Sequence, residues 1–351
     1  MRGAAINVIL KGYKPGEGGL QGEINGNYVQ ANKAGEEGGV TFAYLSPKLD
    51  IDFMYNLNNH YNRQGYKLIT RHTLNDEIHN ISQSTNGENR QLVHTFRLGG
   101  NYKFNEQSQL GLSYTSSLNP DKQQSVTSSD NHSTTFNHAP AEEQMHNVAL
   151  NYTSGFGLTG GIDYTYFRNK EEQSFRSIEN NGQETTFLSN TAQYINRWKV
   201  YVDQNHTLSN AWVLNYGTSF TYVNNHNSQR YNLAAMSGMN KESRVDEYTY
   251  NLYTGFEKNF GSQWSLNASA SIEYYQMISY KKWAIYPTLN LSYVLSPSHI
   301  LQFELSSNKT YPDYWTLSGS TSYLNNYQES AGNSSLKPYT CLLYTSDAAD
   351  E

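Results

Sequence analysis

Five aromatic side chains, Tyr311, Tyr314, Trp315, Tyr323 and Tyr327, lie within one short polar stretch. Aromatic faces so placed can stack on a ligand such as a sugar or a siderophore, with a few polar groups fixing its orientation. The same residue types also build the belts that anchor a protein at a membrane–water interface. Of the two readings, the outer girdle together with packing of the loop is the favoured one. Catalytic chemistry finds no comparable footing. The ten histidines are scattered, and the two nearby pairs, His132 with His138 and His72 with His79, read as solvated loop residues. No Cys, Asp or Glu completes a ligand set around either pair at metal-site spacing. Pro15-Gly16-Glu17-Gly18-Gly19 is glycine-rich but lacks the following Lys-Ser/Thr of a phosphate-binding loop. No nucleophile, base and orienting group converge. The expectation is therefore a binding protein, not an enzyme, with no catalytic residue, metal site or cofactor.

Whatever positions those aromatics is built from strands. Trp264, Leu266, Ala268, Ala270, Ile272 and Tyr274 alternate with Ser265, Asn267, Ser269, Ser271 and Glu273. Successive side chains of a strand point to opposite faces, so this segment has one apolar and one polar face. Leu158, Ile162, Tyr164 and Tyr166 repeat the pattern against Thr159, Gly161, Asp163 and Thr165. So do Trp212, Leu214, Tyr216, Phe220 and Tyr222 against Asn215, Gly217, Ser219 and Thr221. Leu49, Ile51, Phe53, Tyr55 and Leu57 do the same against Asp50, Asp52, Asn56 and Asn58. Many long two-faced strands in succession predict an all-β fold, a transmembrane antiparallel up-and-down β-barrel.

The composition agrees. A chain of 351 residues could bury a large core, yet only 37% of it is hydrophobic and the mean hydropathy is -0.73. Soluble domains of this size run nearer to half apolar. A barrel removes the conflict, because its lumen and outer loops are polar and only the lipid belt is greasy. The 30 tyrosines suit two interfacial girdles. No run approaches the roughly 20 apolar residues of a membrane-crossing helix. A net charge of -6 without a Lys/Arg cluster argues against nucleic acid. One cysteine, Cys341, excludes a disulfide framework.

Short turn signals fall at Ser46-Pro47-Lys48, Asn105-Glu106-Gln107-Ser108, Ser154-Gly155-Phe156-Gly157, Ser209-Asn210, Asn259-Phe260-Gly261-Ser262 and Ser296-Pro297-Ser298. Between them lie longer polar stretches at 119–140, 169–191, 225–243 and 311–337. Asn86-Gly87 and Asn181-Gly182 read as turns at loop tips. Short connections at one end and long ones at the other are the asymmetry of periplasmic turns and extracellular loops. Strands are expected near 20–31, 38–46, 48–62, 90–104, 108–118, 143–153, 157–169, 193–208, 211–225, 244–259, 263–280, 285–295 and 299–310, with 66–74 as an extension above the membrane. That is about thirteen, an odd number, whereas single-chain bacterial barrels close on an even one.

The ends match that reading of a partial barrel. No signal peptide precedes the strand-like Ile6–Lys11 run, although an outer-membrane protein must be exported. Segment 341–351 shows no alternation and looks like the translation of a sequencing adapter. The expected organisation is 1–19 as the entry to the barrel, 20–340 as barrel, and 341–351 as a non-native tail.

One stretch carries a specific resemblance. Tyr286-Pro287-Thr288-Leu289-Asn290-Leu291-Ser292-Tyr293 is followed by Tyr311-Pro312-Asp313-Tyr314-Trp315-Thr316-Leu317 and by Gly332-Asn333-Ser334-Ser335-Leu336-Lys337-Pro338. This order resembles the outer-membrane β-barrel of TonB-dependent receptors common in Bacteroidetes, with its FPSLNLSY strand, RPxYxxL loop start and GNPxLKP run. Tyr286 stands for the Phe, Tyr311 for the Arg and Ser334 for the Pro. Ala5–Lys11 is similar to the last strand of the plug domain in such receptors. The resemblance implies a plug inside a barrel of about 22 strands, of which 1–19 would be the end of the plug. It implies residence in the bacterial outer membrane, in contact with its lipid. It further implies energised import of a bulky nutrient, a siderophore, oligosaccharide or peptide, with a TonB-type energy-transducing protein pulling on the plug.

Three alternatives compete. A passive, porin-like barrel would lack the plug. A membrane enzyme would need a catalytic constellation at the rim. A soluble adhesin would use strands nearer five or six residues than the long ones read here.

Overall fold

The computed structural model describes residues 19–30, 33–74, 76–296 and 299–350. The strand-like run at 5–11 and the glycine-rich run at 15–18 lie outside the described residues. Thirteen strands follow one another as β1 (Gly19–Gln30), β2 (Ala34–Leu45), β3 (Leu49–Leu74), β4 (Glu77–Lys103), β5 (Gln109–Ser129), β6 (Ser133–Thr153), β7 (Leu158–Glu179), β8 (Glu184–Thr207), β9 (Val213–Tyr231), β10 (Lys241–Phe260), β11 (Trp264–Met277), β12 (Tyr280–Ser296) and β13 (His299–Thr310). A one-turn helix α1 (Tyr314–Leu317) and a hairpin of β14 (Thr321–Asn325) and β15 (Gln328–Ala331) come next, then β16 (Tyr339–Asp350). Each of β1 to β13 pairs with its neighbour in sequence, β13 pairs with β16, and the sheet has fourteen strands, all antiparallel. In this structure β1 and β16 end the order.

The alternation sorts the two faces as expected. Glu273, Tyr275 and Met277 of β11 are buried on the face that carries the 311–338 connection, the inner face. Parity therefore puts Ser265, Asn267, Ser269 and Ser271 on the inner face and Trp264, Leu266, Ala268, Ala270 and Ile272 on the outer one. Leu98, Leu112, Val148, Val200, Leu252 and Ile285 are exposed on that outer face. Apolar surface on this scale is tolerated only against lipid.

Aromatic pairs mark the two edges of the belt. Tyr164 lies 4.4 Å from Trp198, Phe220 4.7 Å from Tyr250 and Tyr274 5.0 Å from Trp283, ring centre to ring centre. Nearer the short turns, Trp212 meets Phe256 at 5.8 Å and Trp264 meets Tyr293 at 4.3 Å. From Tyr250 to Phe260, about 3.3 Å per residue at a tilt of about 40° gives roughly 25 Å, the height of an outer-membrane apolar band.

The short turns form where the sequence marks them, apart from Ser296-Pro297-Ser298, of which 297–298 lie outside the described residues. Gly157 sits at φ 88° in the Ser154–Leu158 turn, and Gly182 at φ 85° in the 180–183 turn, a conformation that side chains bearing a Cβ rarely adopt. Asn86-Gly87 is a correction. It lies within β4, paired with Gly65 and Gln64. Asn-Gly makes a hairpin turn only where the ladder ends, and here the ladder runs on to Leu74 and Glu77.

The long polar connections are a second correction. Stretches 119–140 and 169–191 are read as loops, but β5, β6, β7 and β8 continue through them and leave only 130–132 and 180–183 as turns. Stretch 225–243 shrinks to 232–240. Above the lipid both faces of a sheet meet water or polar groups, so the alternation fades while the backbone ladder persists. The extension of β3 over 66–74 is present as expected.

The lack of alternation over 341–351 predicts no strand there, yet over 341–350 Cys341 opposes Asn308 and Ala348 opposes Leu301 in β16, which corrects that expectation. The free N–H and C=O groups of β13 pair with any extended backbone, whatever its side chains.

Replacing Ala268, on the outer face near the middle of the belt, with Arg is expected to cost roughly 2–4 kcal/mol. Replacing Asn267 with Ala, on the inner face, is expected to cost under about 0.5 kcal/mol. Urea titration of folding into phospholipid bilayers measures both. Equal costs contradict the face assignment.

Candidate functional site

The inner wall at membrane depth is polar and charged. Arg97 pairs with Asp52 at 2.9 Å, and Arg197 with Asp163 at 3.1 Å. Asn147 donates to Asp163 at 2.8 Å, and the Tyr253 hydroxyl to Asp203 at 2.8 Å. Charges at this depth are tolerable because they face away from lipid and have partners.

Against this wall folds the connection from β13 to β16. Its first limb is pinned by two carboxylates. The Tyr311 hydroxyl donates to Glu273, which also pairs with Lys309, and the Tyr314 hydroxyl donates to Glu247 at 2.9 Å. Glu273 is only 2% exposed and Glu247 is also buried. Leu317 of α1 packs with Val245, Tyr275 and Met277, and Tyr311 and Tyr314 close over that cluster. Burial, with a carboxylate beside each ring, pushes the Tyr311 and Tyr314 hydroxyls well above the usual tyrosine range, so both stay donors.

The second limb is held through its backbone. Gln229 of β9 donates to the Thr321 carbonyl at 2.6 Å and accepts from the Thr321 N–H at 2.9 Å. Gln173 of β7 does the same for Tyr323, at 2.8 and 3.2 Å. An amide side chain carries one acceptor and two donors, so each glutamine imitates a neighbouring strand. Asn137 adds a second bond to the Tyr323 carbonyl. Asn326 donates to Ser133 and Ser177 at 2.9 and 2.7 Å, and Asn325 to Gln83 at 3.2 Å. The Tyr323 ring meets Phe187 at 4.9 Å and Phe175 at 5.9 Å, beside Tyr231.

These contacts locate all five aromatics. Tyr311, Tyr314 and Tyr323 fasten the connection to the inner wall. None of the three belongs to the outer girdle, because their rings pack on inner-face residues. Trp315 is 41% exposed and Tyr327 45%. Trp315 and Tyr323 line a cavity of about 370 Å³ between the connection and strands β3 to β7. A second cavity, of about 450 Å³, lies at membrane depth among Arg197, Lys199, Glu247, Glu273 and Lys309. Among the described residues no group of three or more His, Cys, Asp or Glu could hold a metal ion. His138 instead bonds Ser125 at 2.9 Å.

Sequence reasoning misses Gln173, Gln229 and Glu247 as anchors. The glutamines lie in stretches without alternation, so nothing assigns them a face. Glu273 carries a usable signal, as the single charge in an otherwise Ser/Asn inner row.

An antiparallel sheet with a lipid-facing apolar belt, two aromatic girdles and a charged inner wall defines an outer-membrane β-barrel. The chain belongs to the outer membrane protein beta-barrel family, whose sequence model matches residues 151–342, more than half of its length. It therefore resides in the bacterial outer membrane. No curated protein matches the sequence. Among solved structures it is similar to the beta domain of the Bordetella autotransporter BrkA, at 10% identity and TM-score 0.33, covering 70% of this chain and 90% of that one. It is similar to the monoaromatic hydrocarbon channel CymD, at 11% identity and TM-score 0.32, covering 83% and 82%. It is also similar to the Pseudomonas putida toluene transporter TodX, at 11% identity and TM-score 0.30, covering 84% and 83%.

Truncating Gln229 to Ala leaves the Thr321 N–H and C=O buried without partners, at roughly 1–3 kcal/mol for each group. Hydrogen exchange at 321–326 is expected to accelerate by about tenfold or more, while the amides of β9 and β10 keep their protection. Unchanged exchange at 321–326 would show that the clamp does not hold the connection.

Proposed function

We propose that this barrel forms the wall and lumenal loop of an energised outer-membrane receptor that imports a bulky nutrient. The observation that carries the reading is the connection 311–338, folded onto the inner wall. Its first limb begins with the Tyr311-Pro312-Asp313-Tyr314 run that resembles the loop start of TonB-dependent receptors, and that run supplies the two tyrosine–carboxylate anchors. A loop fastened this way narrows the lumen beside a ligand-sized cavity. A bulky solute then needs work done on the protein before it can pass. In this reading a TonB-type protein supplies that work through a plug, and the ligand arrives from the extracellular side. Trp315, exposed beside the cavity, is the aromatic placed to meet the ligand, while Tyr311, Tyr314 and Tyr323 hold the loop and the Tyr327 hydroxyl bonds Asp130 and Ser133.

The passive alternative draws support from the charged inner wall, which would suit a water-filled pore. Planar-bilayer recording separates the two. The full-length receptor is expected to show no steady ohmic conductance, and uptake by cells expressing it is expected to stop on addition of a protonophore. A steady open conductance, with uptake indifferent to the protonophore, would establish the passive channel.

A further inference from the structure

The cavity between the folded-in connection and the extensions of β3 to β7 has a distinctive lining. Gln64, Gln124, Ser128 and Ser330 contribute amides and hydroxyls, Tyr66 and Trp315 contribute aromatic rings, and Glu171 is its one carboxylate. No Lys or Arg lines it. Its volume of about 370 Å³ falls in the range of about 300–1,000 Å³ typical of small-molecule sites. It lies in the part of the sheet above the lipid belt, on the side of the long hairpins, where a ligand from outside arrives first.

The chemistry of the lining excludes several ligand classes. A phosphate or an anionic metal chelate would need Arg or Lys donors, and none lines the cavity, Lys122 beside Glu171 being paired with Glu143. A cation would need more than one carboxylate in a site that otherwise offers neutral groups. Burial raises the pKa of Glu171, against the opposing pull of Lys122. A wholly apolar ligand would strip the amides and the carboxylate of water without replacing their hydrogen bonds. What remains is a neutral molecule with hydroxyls to satisfy amides and a flat apolar face to meet an aromatic ring. A pyranose has both, since its hydroxyls lie around the ring edge and its C–H bonds define the faces.

We propose that this cavity is a binding site for a neutral oligosaccharide, with Trp315 and Tyr66 as stacking faces and Gln64, Gln124 and Glu171 as hydrogen-bonding groups. The inference rests on the import reading for its biological purpose, but the site itself requires no energy coupling. The two cavities then divide the work. The outer one, nearly free of charge, takes the sugar, and the charged one at membrane depth anchors the loop that lines one side of the sugar site. Gly87, in the wall, has ordinary space for a side chain. A Cβ there would lie 3.6 Å from Gln64 and 3.8 Å from Val126.

The test is an array of neutral hexose and acetylated-hexosamine oligosaccharides, alongside sulfated and uronate ones, probed with the detergent-solubilised full-length protein. Neutral oligosaccharides alone are expected to bind. Trp315→Ala should weaken that binding by about tenfold or more. Gly87→Phe, which fills the cavity without removing a functional group, should abolish it. Hydrogen exchange of β7 and β9 checks that both variants keep the fold. An array blank for neutral sugars, preferential binding of the charged ones, or binding unchanged in both variants overturns the proposal. Neutral binding together with protonophore-insensitive uptake would leave the sugar site standing and sink only the energised mechanism. Protonophore-sensitive uptake with a blank array would do the reverse.

Discussion

A peptide group in hydrocarbon has no water to bond with, and an unpaired one costs several kcal/mol. Every other feature of this molecule follows from that constraint. It forces each strand to pair along its length with the next, and β1 to β13 accordingly run as an unbroken series of neighbours. It also forces the side chains to divide cleanly. Once the backbone is committed to the ladder, one face must satisfy lipid and the other must not. Trp264, Leu266 and Ile272 go to one side and Ser265, Asn267 and Glu273 to the other because they are successive residues of one strand.

The inner face inherits all the polar chemistry and, with it, the ability to hold something. Here it holds part of its own chain. Glutamines on β7 and β9 bond to both backbone groups of Tyr323 and Thr321, and two buried carboxylates receive tyrosine hydroxyls from the other limb. A buried amide or carboxylate is costly when unpaired and harmless when satisfied. The wall and the connection therefore depend on each other. Removing the loop would leave Gln173, Gln229, Glu247 and Glu273 short of partners, and removing them would leave the loop's backbone short of its own.

This interdependence also separates the aromatics by task. Tyrosines with apolar neighbours and a hydroxyl aimed at an acceptor, such as Tyr311 and Tyr314, act as anchors. Trp315 is partly exposed and lines a cavity of mostly neutral groups. Outside, Tyr250, Tyr274 and Trp283 meet neighbouring rings at one edge of the belt. The same residue types thus serve the girdle, the loop and the open cavity, and only their surroundings tell them apart.

The sequence by itself determined the all-β class, the membrane, most of the short turns and the two faces of the strands that alternate regularly, β11 among them. All of these depend on local alternation and on glycine, proline or asparagine at sharp bends, which neighbours in the chain express directly. Apart from 66–74 of β3, the extensions above the lipid were not legible, because a strand wetted on both faces keeps its ladder without keeping its pattern. Asn86-Gly87 looked like a turn for the same reason, since nothing nearby said that the ladder continued past it. The fourteenth strand escaped notice because edge pairing needs only a backbone. The grouping of five aromatics in one polar stretch was visible, but their division into three anchors, a cavity wall and an exposed ring was not. That division depends on Glu247, Glu273, Gln173 and Gln229, which lie roughly 40 to 150 residues away along the chain and meet the loop only when the sheet brings their strands side by side.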